Sequence, residues 1–405
     1  MTHSTLSPAR ERWLLLTLAG MQFTHILDFM IMMPLGPQLT RLLSISDAQF
    51  GLLVSAYTLA AGVSGLAATT YLDRFDRKSL LLALYALFAT ATLACGLAGS
   101  YLTLMAARVA AGVFGGVLGA LVQTIVADVV PFERRGRAMG VVMSSFSVST
   151  VAGVPLSLWL ASLGGWQWPF FAIAAFSGLL VLGAWATLPA LRDHLASGLA
   201  LSPWRSIGVV LRDRNHQLAC LFSGAMMFTG FTVIPNITIY MQANVGLTDA
   251  QIPFIYLSGG LATLFTARLF GRWADRLGKV RLFGWTAAAV AAPLMGTTLM
   301  GAWPLWAVLC VSTSMFVLMS GRMIPGMAIV TAAADPAYRG VFMAFNAAIQ
   351  SAAMGVAAFL GGLIIQRSPT GQVQHYWLAA LVGVAVGWGS IWLSRRLKLH
   401  GATKP

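Results

Sequence analysis

An aspartate, Asp28, stands inside LLLTLAGMQFTHILDFMIMMPLG, an otherwise apolar stretch long enough to cross a bilayer. The other eleven Asp and Glu residues fall in expected loops or at segment ends. An ionised carboxylate at bilayer depth costs at least ~2.5 kcal/mol even on lenient insertion scales. Such a residue lines a wet cavity, meets a cation or carries a proton. Arg108 supplies a cation in another apolar run. At ~1.5 Å per residue, Asp28 lies ~11 Å and Arg108 ~9 Å from the outer ends of their segments, which are matching depths. The arginine stabilises the charge and loss of water on closure opposes it, a balance that suits a carboxylate switching with conformation; the alternative is a permanent structural ion pair or a hydrogen-bonded buried acid. His25, three residues earlier, lies on nearly the same helix face and suits either a proton relay or a hydrogen bond to a neighbouring helix. Asp28, Arg108 and His25 are the candidate proton-coupling residues.

Substrate contacts are expected from Tyr57, Asn236, Tyr240, Tyr256, Asn346 and Gln350, the polar groups within apolar runs. Met30, Met32, Met33, Met226 and Met227 offer a pliant apolar lining. Arg322, in SGRMIPG, suits attraction of an anionic substrate group, locking of an inner gate, binding of helix-end carbonyls or snorkelling. Cys95, Cys220 and Cys310 are isolated and have neither metal-ligand nor CxxC spacing, so they are read as packing residues and no metal or cofactor is expected. No nucleophile–base pair and no G-x-x-x-x-G-K-[ST] loop is present, which argues against an enzyme and against ATP-driven transport.

These residues must be held by membrane-spanning helices. The 405 residues are 58% apolar and 9% charged, with a mean hydropathy of +0.77, whereas soluble proteins carry about 25% charged residues. Apolar runs of about 20 residues, each one bilayer thickness as a helix, predict twelve spans. They cover 13–35, 49–71, 80–99, 102–127, 139–163, 169–190, 217–241, 252–271, 282–300, 303–329, 341–365 and 376–394. Twenty-one of the 26 Lys and Arg residues fall at the N-terminus, in alternate loops or in the C-terminal tail. Only Arg41 and Arg367 lie in the opposite loops. This positive-inside pattern predicts a multi-pass protein of a bacterial-type cytoplasmic (inner) membrane with both termini cytoplasmic. The net charge of +14 sets topology rather than binding nucleic acid. The first apolar segment is too long for a cleavable signal. Pro34, Pro37, Pro155, Pro235 and Pro325 are expected to bend helices.

The two halves repeat. PLGPQLTRLLSISDAQF from Pro34 is echoed by PNITIYMQANVGLTDAQI from Pro235, and YLDRFDRK from Tyr71 by RWADRLGK from Arg272. The fold expected is all-α, with two pseudo-symmetric six-helix bundles over 1–190 and 217–405. A cytoplasmic linker, 191–216, carries intermittent apolar residues that suggest a short amphipathic helix.

The loop LDRFDRK and the loop GRWADRLGK resemble the G-x-L-A-D-R-x-G-R-K signature of the major facilitator superfamily. The second copy matches at Gly271, Ala274, Asp275, Arg276, Gly278 and Lys279. The first keeps Asp73, Arg74, Arg77 and Lys78, with Thr69 and Asp76 where the pattern has glycine. Arg108 with Gly112 resembles the R-x-x-x-G pattern of the drug:proton antiporter and sugar-efflux group. Gly153-Val154-Pro155 partly resembles its G-P motif, and Ser157 stands where glycine is usual. The resemblance implies a monomer with a central cavity open alternately to each side. It also implies gating by Asp73, Arg74, Arg77, Asp275, Arg276, Gly153 and Pro155. A loop carboxylate would sit at the positive end of a neighbouring helix and pair with Arg74 or Arg276.

The activity expected is export of a small neutral or anionic amphipathic drug or metabolite in exchange for protons. Few acids in the helices argue against strongly cationic substrates. A proton-coupled importer or facilitator of a sugar or organic acid remains open on the same fold, as does a transport-inactive sensor or lipid-handling protein.

Overall fold

The computed structural model describes residues 8–130, 132–189, 191, 208, 210, 212–335 and 339–399. Their helices in chain order are α1 (Pro8–Ile31), α2 (Gly36–Leu42), α3 (Asp47–Ala68), α4 (Arg77–Leu97), α5 (Tyr101–Val129), α6 (Phe132–Val148), α7 (Val154–Gly164) and α8 (Trp168–Thr187). Then follow α9 (Arg214–Phe231), α10 (Ile237–Tyr240), α11 (Ile252–Leu277), α12 (Lys279–Ala289), α13 (Ala291–Thr298), α14 (Leu305–Ala333), α15 (Arg339–Ile364) and α16 (Tyr376–Arg396). A two-stranded antiparallel hairpin, β1 (Gln366–Arg367) with β2 (Val373–Gln374), joins α15 to α16.

Among the described residues, eleven helical segments are long and apolar enough to cross a membrane. The twelfth expected span, 282–300, is there in two pieces, α12 and α13, too short to qualify singly. Pro293 explains the break at Val290, because it has no N–H to donate to the carbonyl four residues back. The same physics acts elsewhere. Pro235 sits in a 3-10 turn, Ile234–Asn236, that interrupts the span made by α9 and α10. Pro155 opens α7 just after a π-helical turn, Ser149–Gly153, that links it to α6. Pro325 lies inside α14. Pro34 and Pro37 differ from expectation: α1 stops at Ile31, and Pro37 starts the separate helix α2, so these prolines delimit helices rather than bend one. The linker's expected amphipathic helix falls mainly on residues 192–207, 209 and 211, outside the described residues.

Two compact units are present, one of residues 1–31 and 63–200, the other of residues 32–62 and 201–405. In the first, α4 packs on α5 and α8, and α1 packs on α6 and α8. In the second, α9 packs on α15 and α16, and α11 and α12 pack on α14. Close approach depends on absent side chains. A Cβ on Gly51 of α3 would stand 2.8 Å from the Ala358 carbonyl oxygen of α15, so only glycine allows that contact. Large apolar side chains stay exposed, Phe265 at 74% and Trp306 at 70%, as befits surfaces solvated by lipid rather than water.

Candidate functional site

In the first unit, three helices bring an acid, a base and a hydroxyl together. Arg108 Nη1 of α5 donates to Asp28 Oδ2 of α1 at 2.9 Å and to the Asp28 carbonyl at 3.3 Å. Thr92 Oγ1 of α4 donates to Asp28 Oδ1 at 3.2 Å. Both charged side chains are wholly buried. The sequence fixes the depth of Arg108 by starting α5 sharply: Ser100 and Thr103 form a reciprocal capping box at its first turn. Nothing in the sequence marks Thr92, since a threonine in an apolar helix also satisfies itself by bonding back to its own backbone.

His25 lies a turn before Asp28, its ring in an edge-type arrangement with that of Phe88 at 5.8 Å between centroids. Nearby, Thr24 shares a 2.6 Å hydrogen bond with Tyr85, whose hydroxyl donates to Ser177 at 3.2 Å. This hydroxyl chain lies beside the site and was not among the residues singled out from sequence. The π turn of the α6–α7 span presses on α1 at the same level. Ser149 Oγ donates to the Phe23 carbonyl at 3.2 Å, and a Cβ on Gly153 would meet Leu27 Cδ1 at 2.9 Å. Gly153→Ala therefore overpacks this contact and should lower stability by about 1–3 kcal/mol. Gly140→Ala, in open space on α6, should hold or raise it. Thermal unfolding of the two purified variants in the same detergent checks this.

The first loop motif is distributed differently from its expected pairing. Asp73 lies in a 3-10 turn, Leu72–Arg74, and its side chain is outside the described residues; Arg74 is exposed. The contacts of this loop come from Asp76, Arg77 and Lys78. Asp76 caps α4 by accepting from the Lys78 and Leu191 backbone N–H groups. Arg77 pairs with Asp128 at the end of α5. Lys78 Nζ donates to the Trp185 and Leu188 carbonyls at the end of α8, at 2.8 and 2.6 Å, where the helix dipole favours a cation. The Asp76 that departs from the glycine of the family pattern thus acts as a helix cap. In the second motif Asp275 and Arg276 are exposed and form no ion pair among the described residues. As consecutive residues of α11 they point about 100° apart, which explains why they do not pair.

In the second unit, most of the expected substrate residues are satisfied within the protein. Tyr240 donates to the Met300 carbonyl at 2.6 Å, Tyr256 shares a 3.0 Å hydrogen bond with Thr238, and Asn346 accepts from Ser223. Gln350 reaches the Met327 sulfur at 3.8 Å. Tyr57 is buried in α3. Two are left over. Neither carboxamide atom of Asn236, which is fully buried at the break after α9, has a hydrogen-bond partner among the described residues. Arg322 is 4% exposed, with one nitrogen on the Met319 sulfur at 3.0 Å and two nitrogens unpartnered among the described residues.

A bidentate ion pair on β1 was not anticipated from sequence. Arg367 Nε and Nη2 donate to Asp47 Oδ2 and Oδ1, both at 2.8 Å, across 320 residues. The hydrogen-bonded Asp47 carboxylate raises the Arg367 pKa above its ordinary value. The available signal was the scarcity of charge in the loops opposite the basic ones. Because Arg367 is 41% exposed, Asp47→Asn should lower stability by only about 1 kcal/mol. The exchange Asp47→Arg with Arg367→Asp should recover part of that loss, as read by thermal unfolding.

A family model of the Major Facilitator Superfamily matches residues 18–234 and 219–405. The chain belongs to this superfamily. It is 27% identical over 256 residues to the uncharacterized MFS-type transporter YceJ of Bacillus subtilis (strain 168), a match covering 63% of this chain and 65% of YceJ. It is 28% identical over 269 residues to a chloramphenicol resistance protein of Streptomyces lividans, covering 64% and 68% of the two chains. The crystal structure of a D-xylose-proton symporter shares the fold with a TM-score of 0.79 at 17% identity, covering 98% of this chain and all of that one. The superfamily member described here is a multi-pass membrane protein, and the matched region spans less than two thirds of YceJ's own length.

Proposed function

We propose that this protein is a proton-coupled antiporter that exports a small neutral or anionic amphipathic compound, with Asp28 as the proton carrier. The observation that carries the reading is the fully buried Asp28–Arg108 pair with Thr92 as its third partner. Two buried charges hold each other only while both are present, and protonating Asp28 leaves Arg108 without its counter-charge. That change gives the first unit two electrostatic states between which a proton can choose. His25 is one turn away as a relay candidate. Arg322 and Asn236, buried with unused donors, are the best-supported substrate contacts and fit an anionic or hydrogen-bonding group. The resemblance to a chloramphenicol resistance protein supports efflux as the direction. Two six-helix bundles, 1–190 and 217–405, would move as the alternating halves, with the Asp76–Lys78 contacts and the Gly153–Pro155 turn adjusting between states. A monomer with cytoplasmic termini is the working assembly.

Purified protein in weakly buffered detergent tests this directly. Candidate anionic and neutral compounds should release protons on binding to the wild type and bind Asp28→Asn without release. Equal proton counts from both proteins would remove Asp28 from the coupling role. In vesicles, a compound leaving against the direction of proton entry supports antiport, and movement with the proton would overturn it.

A further inference from the structure

A cavity of about 350 Å³ lies in the first unit where the starts of α1 and α6 meet. Among the described residues three arginines line it, Arg12, Arg134 and Arg137, against one acid, Glu11. Glu11 is already used, because its two oxygens accept from Arg134 Nη1 and Nη2 at 3.1 and 3.0 Å. Arg12 and Arg137 are exposed and have neither hydrogen-bond nor ion-pair partners among the described residues. Among the described residues the cavity therefore keeps two uncompensated positive charges.

The spacing places apolar surface directly below these charges. Leu16 is one turn beyond Arg12 on α1, and Val141 is one turn beyond Arg137 on α6, so each helix carries a basic head and an apolar continuation on one face. Trp13, beside Arg12, is 63% exposed, as tryptophans at a membrane–water boundary are. An anion that fits must be charged at one end and apolar below it. Guanidinium groups bind phosphate through paired N–H donors and suit this head better than ammonium groups.

We infer that this cavity binds the headgroup of an anionic phospholipid, the phosphate meeting Arg12 and Arg137 and an acyl chain following Leu16 and Val141. The bound lipid would tie the start of α1, which carries Asp28, to the start of α6, which leads into the π turn beside it.

The test uses the full chain in neutral detergent with phosphatidylglycerol, phosphatidylcholine or inorganic phosphate, read by native mass spectrometry of bound lipid and by thermal unfolding. Phosphatidylglycerol should bind and stabilise wild type more than phosphatidylcholine. Removing two arginines should weaken its binding roughly thirtyfold in Arg12→Gln/Arg137→Gln. The control Arg272→Gln/Arg281→Gln removes the same charge from exposed positions and should bind like wild type. Equal weakening in the control, or no preference for phosphatidylglycerol in wild type, overturns the site. Stabilisation by inorganic phosphate as large as that by the lipid would make it a free-anion site and also overturn the lipid assignment.

Discussion

Arg108→Ala should give a protein that folds poorly or not at all, destabilised by about 3–5 kcal/mol, because it leaves the wholly buried Asp28 without its counter-charge. Asp28→Ala should do the same from the other side. The informative variant is the double replacement Asp28→Leu/Arg108→Met. It removes both charges and fills similar volume, and buried pairs replaced this way are often neutral or stabilised. Its stability should return to within about 1 kcal/mol of the wild type, while proton-coupled transport is absent. Thermal unfolding and proton-driven uptake into inverted vesicles, measured on the same preparation, separate the two outcomes. A double variant that is stable and still coupled would place the proton elsewhere, with His25 the first alternative. A double variant as unstable as the singles would make Thr92 and the Asp28 carbonyl contact, rather than the charge pair, the basis of the local structure.

Arg322 is expected to behave in the opposite way. Two of its three nitrogens are buried without partners among the described residues, so the resting protein bears the desolvation of a charge that these residues do not compensate. Arg322→Met should therefore keep or raise stability. If the guanidinium meets an anionic substrate group, the same change should weaken transport of that substrate about 100-fold, the order of a lost charge-assisted hydrogen-bonding partner. Neutral substrates should lose far less. Loss of stability without any substrate discrimination would identify Arg322 as a packing element of α14. Asn236→Ala provides the parallel test with a smaller expected effect, since an uncharged amide contributes less.

Hydropathy and charge alone settle the class of protein and the depth of the buried charges Asp28 and Arg108. Hydropathy runs of bilayer length, the alternating basic loops and the internal repeat are local or periodic properties, and all can be read without contacts. Asp28 and Arg108 were legible for the same reason: a charge inside an apolar helix is improbable on energetic grounds, and counting residues from the helix ends gives its depth. Tertiary structure decided which groups meet. Thr92 reaches Asp28 only because of how α4 is rotated toward α1. Tyr240, Tyr256 and Asn346, named from sequence for substrate contact, have internal hydrogen-bond partners in Met300, Thr238 and Ser223 that only the packing of the helices reveals. Asp76, a departure from the loop pattern, became a helix cap, and Asp47 found Arg367 across 320 residues. Hydropathy and periodicity depend on one helix at a time, whereas hydrogen-bond partners depend on the rotation and tilt of several helices. Those are set by small-residue contacts such as Gly153 on Leu27 and Gly51 on Ala358, which are spread through the chain and carry no periodic signal.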